Sequence, residues 1–507
     1  MDDVNEQSHP LLADTTTTTT RSMLESGDNN HNNEKGALLL LSLSLSLSLL
    51  GRKKAFMGEL IEVNRIALPM ILVTVSQFLL RTSPILMLGH LGQLHLSAAS
   101  IATSLSNVTG YSVLFGMSSA LETLCGQAYG AGQHRKLATF TYGAILGMFL
   151  VCIPIAILWL LTEKLLLSLG QDPSIAAEAG KYAIWLIPTL LPYSILQSLV
   201  RYLLAQGLIV PMVWTAVASL CLQVPICWVF VFKLDLGSAG AALSIGISYW
   251  ANVVFILFYV AKSSSSTCKI PSSCYAASFT RDAFLTMGDF FRLAVPSAVM
   301  VCLEWWSFEL ILLLSGLLPN PKLETSVLSI CFTTTSVHCN IPYSFGAAAS
   351  LRVSNAVGGR KAEAARVAVY AVMALAATEV VVTSAVIFGC RGVWGHMFTS
   401  EDEVVGRVRE MVPLICVSII LDGTQAVLSG VVRGSGWQRI GACVNLTSFY
   451  LVGIPVSLLL GFGLDLKALG LWLGLVAGAF VQSASLLCTF ISSLNRAPEL
   501  IEARLGV

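Results

Sequence analysis

Two stretches of this sequence repeat one pattern about 230 residues apart. The first is VPMVWTAVASLCLQVPICWVFVFKLDLGSAG at residues 210–240, and the second is IGACVNLTSFYLVGIPVSLLLGFGLDLKALG at residues 440–470. Each begins with an apolar run of about 20 residues, the length that a helix needs to cross a bilayer. Each run contains a proline and ends in Leu-Asp-Leu, with a glycine four residues later. We therefore expect two membrane helices, one in each stretch, that end in the same type of turn.

Further landmarks recur in the same order at an offset of about 227 to 230 residues. Arg65 and Pro69 recur as Arg292 and Pro296, and the segment 116–130 recurs loosely as 346–359. Landmarks that keep both order and spacing indicate an internal duplication. The sequence therefore predicts two related halves.

The composition is that of a membrane protein. Of the 507 residues, 55% are hydrophobic and only 12% are charged, whereas a soluble domain carries about 25% charged residues. An ordinary soluble enzyme is therefore excluded. The net charge of +1 provides no basic surface for a phosphate backbone, so no nucleic-acid partner is expected.

The apolar runs predict an all-α polytopic membrane protein with twelve transmembrane helices in two parallel six-helix lobes. The expected spans are 66–88, 97–121, 138–161, 178–200, 210–232, 239–261, 292–316, 326–350, 365–389, 409–431, 440–461 and 468–491. We expect a disordered N-terminal tail (1–57), an N-lobe (58–261), a cytoplasmic linker (262–289), a C-lobe (290–495) and a C-terminal tail (496–507). Because each lobe has an even number of spans, both enter the membrane from the same side, and the substrate site is expected between them near mid-depth.

The basic residues predict the orientation. Arg and Lys concentrate before the first span and in the even-numbered connections, for example at Arg135, Lys136, Arg360 and Lys361. Cytoplasmic loops carry this excess of positive charge. We therefore expect both termini to face the cytoplasm.

Three carboxylates inside predicted spans stand out. Glu304 and Asp422 lie about twelve residues into the seventh and tenth spans, and Glu309 follows Glu304 by five residues. A charged group at this depth costs about 2.5 to 3.5 kcal/mol, so its presence needs a reason. The position equivalent to Glu304 in the first half is Gln77, and Asp422 falls opposite Pro192 or Tyr193. The acids therefore belong to one half only, which favours an ion-coupling site over an architectural role.

Proton binding is the chemistry that fits these acids. Burial away from water favours the neutral, protonated form of a carboxyl group, and protonation removes a charge that could otherwise hold a cationic substrate. If the two protonation states prefer opposite-facing conformations, proton entry drives substrate out. The alternative is that these acids are permanently neutral and hydrogen-bonded inside the fold. No phosphate-binding loop is present, so energy is expected from a gradient or from another subunit.

Other residues of the same spans are candidates for the substrate cleft or for hinges. Trp305 and Trp306 could bind flat or cationic ligands, although tryptophan in a span more often packs against other helices. His338 could relay a proton or be a satisfied core residue. The remaining cleft candidates are Gln77, Asn340, Tyr343 and Gln425. Pro192 and Pro342 could act as hinges or as static kinks.

Several motifs of the chain resemble those of the multidrug and toxic compound extrusion (MATE) family, in its plant DETOXIFICATION branch. The matching stretches are LGHLG at 88–92, GMSSALETLCGQAYG at 116–130, RYLLAQG at 201–207, CLEWWSFE at 302–309, LPNPK at 318–322, IPYSFGAAASLRVSN at 341–355, and Asp422 with RGSG at 433–436. The resemblance covers about residues 58–495. The chain departs from the commonest pattern at Arg81, Pro84, Cys339, Asn340 and Ser344.

The resemblance implies proton-coupled efflux of alkaloids, flavonoids or xenobiotics across the plasma membrane or the vacuolar membrane. It assigns the proton-binding acids to Glu304 and Asp422. We expect a monomer that binds a small organic substrate and needs neither a metal nor a cofactor other than the coupling proton. The alternative function is a gated channel or passive uniporter for small organic or inorganic anions. An enzyme is disfavoured, because no nucleophile-base pair or metal cluster has a plausible spacing.

Overall fold

Within a bilayer the backbone must satisfy its own hydrogen bonds, so the apolar runs of this chain fold as helices. The computed structural model describes residues 31–263 and 281–505, and it places twelve long helical runs there. Their bounds are α1 (His31–Gly89), α2 (93–130), α3 (His134–Leu160), α4 (Pro173–Ala205), α5 (Ile209–Lys233), α6 (Gly237–Ser263), α7 (Arg281–Ser315), α8 (Pro321–Gly358), α9 (Ala362–Gly389), α10 (Asp402–Ser435), α11 (Gln438–Gly463) and α12 (Lys467–Leu505). We call α1–α6 the N-half and α7–α12 the C-half.

The twelve runs coincide with the twelve predicted spans, which confirms the all-helical fold. Within the described residues, ten of them are long and apolar enough to cross a membrane by length and composition, the part of α1 that qualifies being Lys53–Gly89. The other two are α2, which a π-helical turn interrupts at Asn107–Tyr111, and the more polar α8. Both contribute polar side chains to the site described below.

Helical structure extends into both the N-terminal segment expected to be a disordered tail and the segment expected to be a linker. Helical backbone begins at His31, inside the tail expected to be disordered, and residues 1–30 lie outside the described residues. The linker expected at 262–289 is helical from Arg281, and residues 264–280 are likewise not described. Residues Met1–Gly58 form a separate unit, whereas both halves of the duplication belong to one unit, Glu59–Val507.

The duplicated turn has the same backbone conformation in both halves. Asp235 and Asp465 both have a φ of 53°, a left-handed conformation in which Asp is one of the few tolerated non-glycine residues. The N–H of Leu236 donates to the carbonyl of Phe230, as that of Leu466 does to Leu460, both at 3.1 Å. A π-helical turn precedes each, at Val229–Lys233 and Leu459–Gly463. The sequence repeat is thus a structural repeat.

Glycines set how closely the helices around the site approach each other. A methyl group on Gly116 of α2 would lie 2.6 Å from the Cα of Ala298 on α7, so these two helices contact each other through backbone. A methyl group on Gly430 of α10 would lie 2.1 Å from the carbonyl oxygen of Gly346 on α8, and one on Gly346 would lie 2.5 Å from the carbonyl oxygen of Ala426 on α10, so neither glycine has room for a side chain. These contacts join α2 of the N-half to α7 and hold α8 against α10.

Candidate functional site

A cavity of about 490 Å³ lies between the two halves. Helices α1, α2, α4 and α6 form one wall, and α7, α8 and α10 form the other. Nine of the residues selected from the sequence line it: Gln77, Glu304, Trp305, Glu309, Asn340, Pro342, Tyr343, Asp422 and Gln425. The cleft expected between the halves is present.

Three amide groups hold the carboxylate of Glu304. Its Oε2 accepts hydrogen bonds from Gln425 of α10 at 2.9 Å, Asn445 of α11 at 3.4 Å and Gln482 of α12 at 3.5 Å. The amides are themselves fixed, because Gln482 donates to Asn445 at 2.8 Å and Asn445 donates to the carbonyl of Met300 at 2.7 Å. Among the described residues no lysine or arginine is within ion-pair distance of Glu304. Neutral donors therefore position this acid and leave its charge uncompensated.

Asp422 lies on α10, three residues before Gln425, and lines the same cavity. Its carboxylate has no hydrogen-bond or ion-pair partner in the described part of the chain. A carboxylate on a cavity wall without a counter-ion gains from binding a proton or a cation. The two acids that the sequence selected thus face one space, and within residues 31–263 and 281–505 neither is in an ion pair.

Glu309 occupies a different environment. It accepts a hydrogen bond from the hydroxyl of Ser104 at 2.5 Å, which joins α7 to α2 across the two halves. Its spacing from Glu304 predicts a different face of α7, yet both side chains reach the cavity.

The neighbouring aromatic residues have separate roles. Trp305 stacks on Phe115, with ring centroids 5.4 Å apart and an interplanar angle of 25°. Trp306 is not among the lining residues; its side chain is 37% exposed, and its indole N–H donates to the carbonyl of Val108 at 2.9 Å. Successive helical residues are about 100° apart, and in this pair Trp305 faces the cavity while Trp306 points away from it.

His338 is also outside the cavity lining. Its Nε2 lies 3.1 Å from Oε1 of Glu379 on α9, and the imidazole is buried. Sequence reasoning did not select Glu379, although a carboxylate within the ninth predicted span is a sufficient signal. The pair joins α8 to α9 behind the cavity wall.

The structure adds a buried ion cluster that sequence reasoning missed. Glu122 of α2 has Oε1 at 3.2 Å from Nε of Arg201 on α4 and Oε2 at 3.0 Å from Nε of Arg433 on α10. Arg201 donates to the hydroxyl of Tyr343 at 2.9 Å, and the guanidinium of Arg433 lies 5.7 Å from the centre of that ring. One carboxylate thus joins two cations from different halves at one end of the cavity.

More contacts between the halves surround this cluster. Arg352 of α8 binds Glu59 of α1 through two hydrogen bonds of 2.5 and 2.7 Å, and Gln127 of α2 donates to the carbonyl of Gly434 at 3.3 Å. Gly126 and Gly130 of α2 lie directly against Ser354 and Asn355 of α8. The halves are therefore in close contact at the end where α2 and α8 finish.

The two hinge candidates occupy different positions. Pro342 lines the cavity within the continuous helix α8, and its Cβ would lie 3.8 Å from a methyl group on Gly423. Pro192 is buried outside the cavity lining, three residues after the end of the short 3₁₀ turn Ile187–Thr189 that interrupts α4.

Comparisons with known proteins agree with this architecture. The MatE family model matches twice, at residues 69–229 and 296–459, and the first residues of the two matches are separated by the offset of the internal repeat. Protein DETOXIFICATION 14 of Arabidopsis thaliana is 50% identical over 435 residues, which cover 86% of this chain and 88% of that protein. Protein DETOXIFICATION 3 of the same plant is 48% identical over 446 residues, or 88% of this chain and 92% of that protein.

The fold also matches solved transporters. The crystal structure of the eukaryotic MATE transporter AtDTX14 is similar with a TM-score of 0.81 and 48% identity, over 88% of this chain and 100% of that one. The Vibrio cholerae MATE transporter VcmN in its bent form shares the fold with a TM-score of 0.75 at 17% identity, over 88% and 99%. The protein is therefore a multi-pass membrane transporter of the MatE family, one of the DETOXIFICATION multidrug efflux antiporters.

Proposed function

We propose that this transporter exchanges protons for small organic compounds of the alkaloid, flavonoid or xenobiotic type, and that Glu304 and Asp422 bind the protons. The observation that best supports this proposal is the environment of the carboxylates of Glu304 and Asp422. Both line the cavity, and neither forms an ion pair with any residue that the structure describes. A proton and a cationic group can therefore compete for the same carboxylates.

Electrostatics accounts for the exchange. Two ionised carboxylates on one cavity wall repel each other and attract a cation. Proton binding removes both the repulsion between the carboxylates and their attraction for the cation. The cation is then released, and the conformation that opens to the opposite side of the membrane becomes favoured. A gradient of one pH unit supplies about 1.36 kcal/mol per proton, or about tenfold accumulation.

The orientation follows from the loop charges. The ends of α2 and α8, where the halves touch, adjoin the basic residues Arg135, Lys136, Arg360 and Lys361, so we assign this end to the cytoplasm. With this orientation we infer an outward-facing state, in which the cluster around Glu122 closes the cytoplasmic side. Both termini would also face the cytoplasm.

Contact between the halves at one end of the cavity favours alternating access over a continuous pore. It gives no support to the alternative hypothesis of a channel. We assign the moving bodies to the N-lobe (58–261) and the C-lobe (290–495), with Pro342 as the hinge beside the cavity. One chain supplies both walls, which supports a functional monomer. Its membrane would be the plasma membrane or the vacuolar membrane.

The test is transport by the purified full-length protein in sealed vesicles that carry an imposed pH gradient. We expect a fluorescent organic solute to accumulate against its own gradient and to leave when an ionophore collapses the pH gradient. Equilibration of the solute without accumulation would overturn proton coupling and indicate a uniporter.

A further inference from the structure

Arg81 is a cation inside α1 with no acidic partner among the described residues. It lies one turn after Gln77 on the face of α1 that lines the cavity. In the described part of the chain it makes no hydrogen bond and no ion pair. Because an arginine within a span costs several kcal/mol unless something compensates its charge, a ligand in the cavity is the natural partner.

Charge is divided between the two walls. The C-half wall carries Glu304, Asp422 and Glu309, whereas the N-half wall carries Arg81. Arg433 also reaches the cavity, but Glu122 already binds it. No described ion pair joins Arg81 to any of the three acids, so the opposite charges remain separated across the space that a substrate would fill.

This separation restricts the substrate class. A purely cationic solute would leave Arg81 unpaired and would face its positive charge. A purely anionic solute would bind more tightly once the acids were protonated, which is the wrong direction for exchange against protons. A solute with both charges meets neither difficulty, since protons compete with its cationic group while Arg81 retains its anionic group.

We propose that Arg81 binds the anionic group of an amphoteric organic solute, such as one with a carboxylate, whose cationic group lies against Glu304 and Asp422. The stacked pair Trp305 and Phe115 provides an aromatic surface for a flat ring system between them. The proposal rests on the proposed function and specifies its substrate class.

Two fluorescent probes differ only at the relevant group. Rhodamine 110 carries a carboxylate and a delocalised cation, and rhodamine 123 is its methyl ester and purely cationic. We would measure binding of each by fluorescence anisotropy, at fixed pH, to the full chain in lipid nanodiscs, with empty nanodiscs subtracted. The wild type should bind rhodamine 110 more tightly than rhodamine 123.

In Arg81→Gln the Kd for rhodamine 110 should rise by at least about tenfold, because a charge-assisted hydrogen bond is lost, while that for rhodamine 123 should stay equal or fall. Arg81→Lys should recover part of the preference. Equal weakening of both probes, no weakening of rhodamine 110, or no binding by the wild type would each overturn the proposal. Since no gradient is applied, a failure of proton coupling would appear only in the vesicle assay.

Discussion

The carboxylate of Glu122 on α2 binds the guanidinium of Arg433 on α10, with 3.0 Å between Oε2 and Nε. The bond connects the two halves of the transporter, and both side chains are buried. The opposite oxygen of Glu122 faces Arg201 of its own half. For the cavity to open at this end, the bond between Glu122 and Arg433 must break, so its strength should set the balance between the two facing states.

Glu122→Gln should weaken the closed contact at this end. Removing one partner of a buried ion pair costs about 3–5 kcal/mol because it leaves charge uncompensated, and here two guanidinium groups lose their carboxylate. Hydrogen exchange measured by mass spectrometry should become faster in the last turns of α2 and α10.

The control is Glu59→Gln. It breaks the pair with Arg352, in which the Arg352 side chain is 34% exposed and the Glu59 side chain 12% exposed. Because water can reach the Arg352 side chain, the loss should cost less than the loss of the fully buried Glu122 carboxylate. Hydrogen exchange should therefore change less in Glu59→Gln than in Glu122→Gln. If hydrogen exchange in Glu122→Gln were as slow as in the wild type, the cluster would not be what holds the two halves together at this end.

Glu304→Gln should abolish accumulation without unfolding the protein. A glutamine oxygen can still accept from Gln425, but the side chain no longer takes up a proton. In vesicles the wild type should reach about tenfold accumulation per pH unit for each proton exchanged, whereas the variant should reach none. Solute counterflow, which needs no net proton movement, should persist. Normal accumulation by the variant would remove Glu304 from the coupling mechanism.

The helices and the central acids could be predicted because they leave strong signals in the sequence. The partners of these acids leave no such signal and were missed. Apolar runs of bilayer length and a charge in mid-span are strong signals, so the twelve helices and the positions of Glu304 and Asp422 were accessible. Asn445 and Gln482 are uncharged amides, and nothing in a single sequence marks them as partners of Glu304. Glu122 lies just past the end of a predicted span and therefore resembled an ordinary loop charge. Only the crossing of α2 and α10 reveals its burial.

Asp422→Asn should remove coupling with even less structural effect. Because its carboxylate has no partner among the described residues, an amide of the same shape breaks no bond, and the change in unfolding free energy should be within about 0.5 kcal/mol. Accumulation should fall to the level of Glu304→Gln, and the double variant should be no worse than either single one. Glu309→Gln is the matched comparison, since its partner Ser104 lies in the other half. A larger loss of accumulation in Glu309→Gln than in Asp422→Asn would reverse the assignment of the two acids.

Gly430→Ala should destabilise the wall that carries Asp422. A methyl group at Gly430 overlaps the carbonyl oxygen of Gly346, and backbone cannot move aside as a side chain can. Overpacking of this kind costs about 1–3 kcal/mol, so the Tm of the purified protein should fall. Gly406→Ala on the same helix meets nothing within 4 Å and should raise stability by up to about 1 kcal/mol through helix propensity. Equal Tm values for the two variants would show that α8 and α10 can separate freely. In that case, the positions of Tyr343 and Asp422 would not depend on the glycine contact.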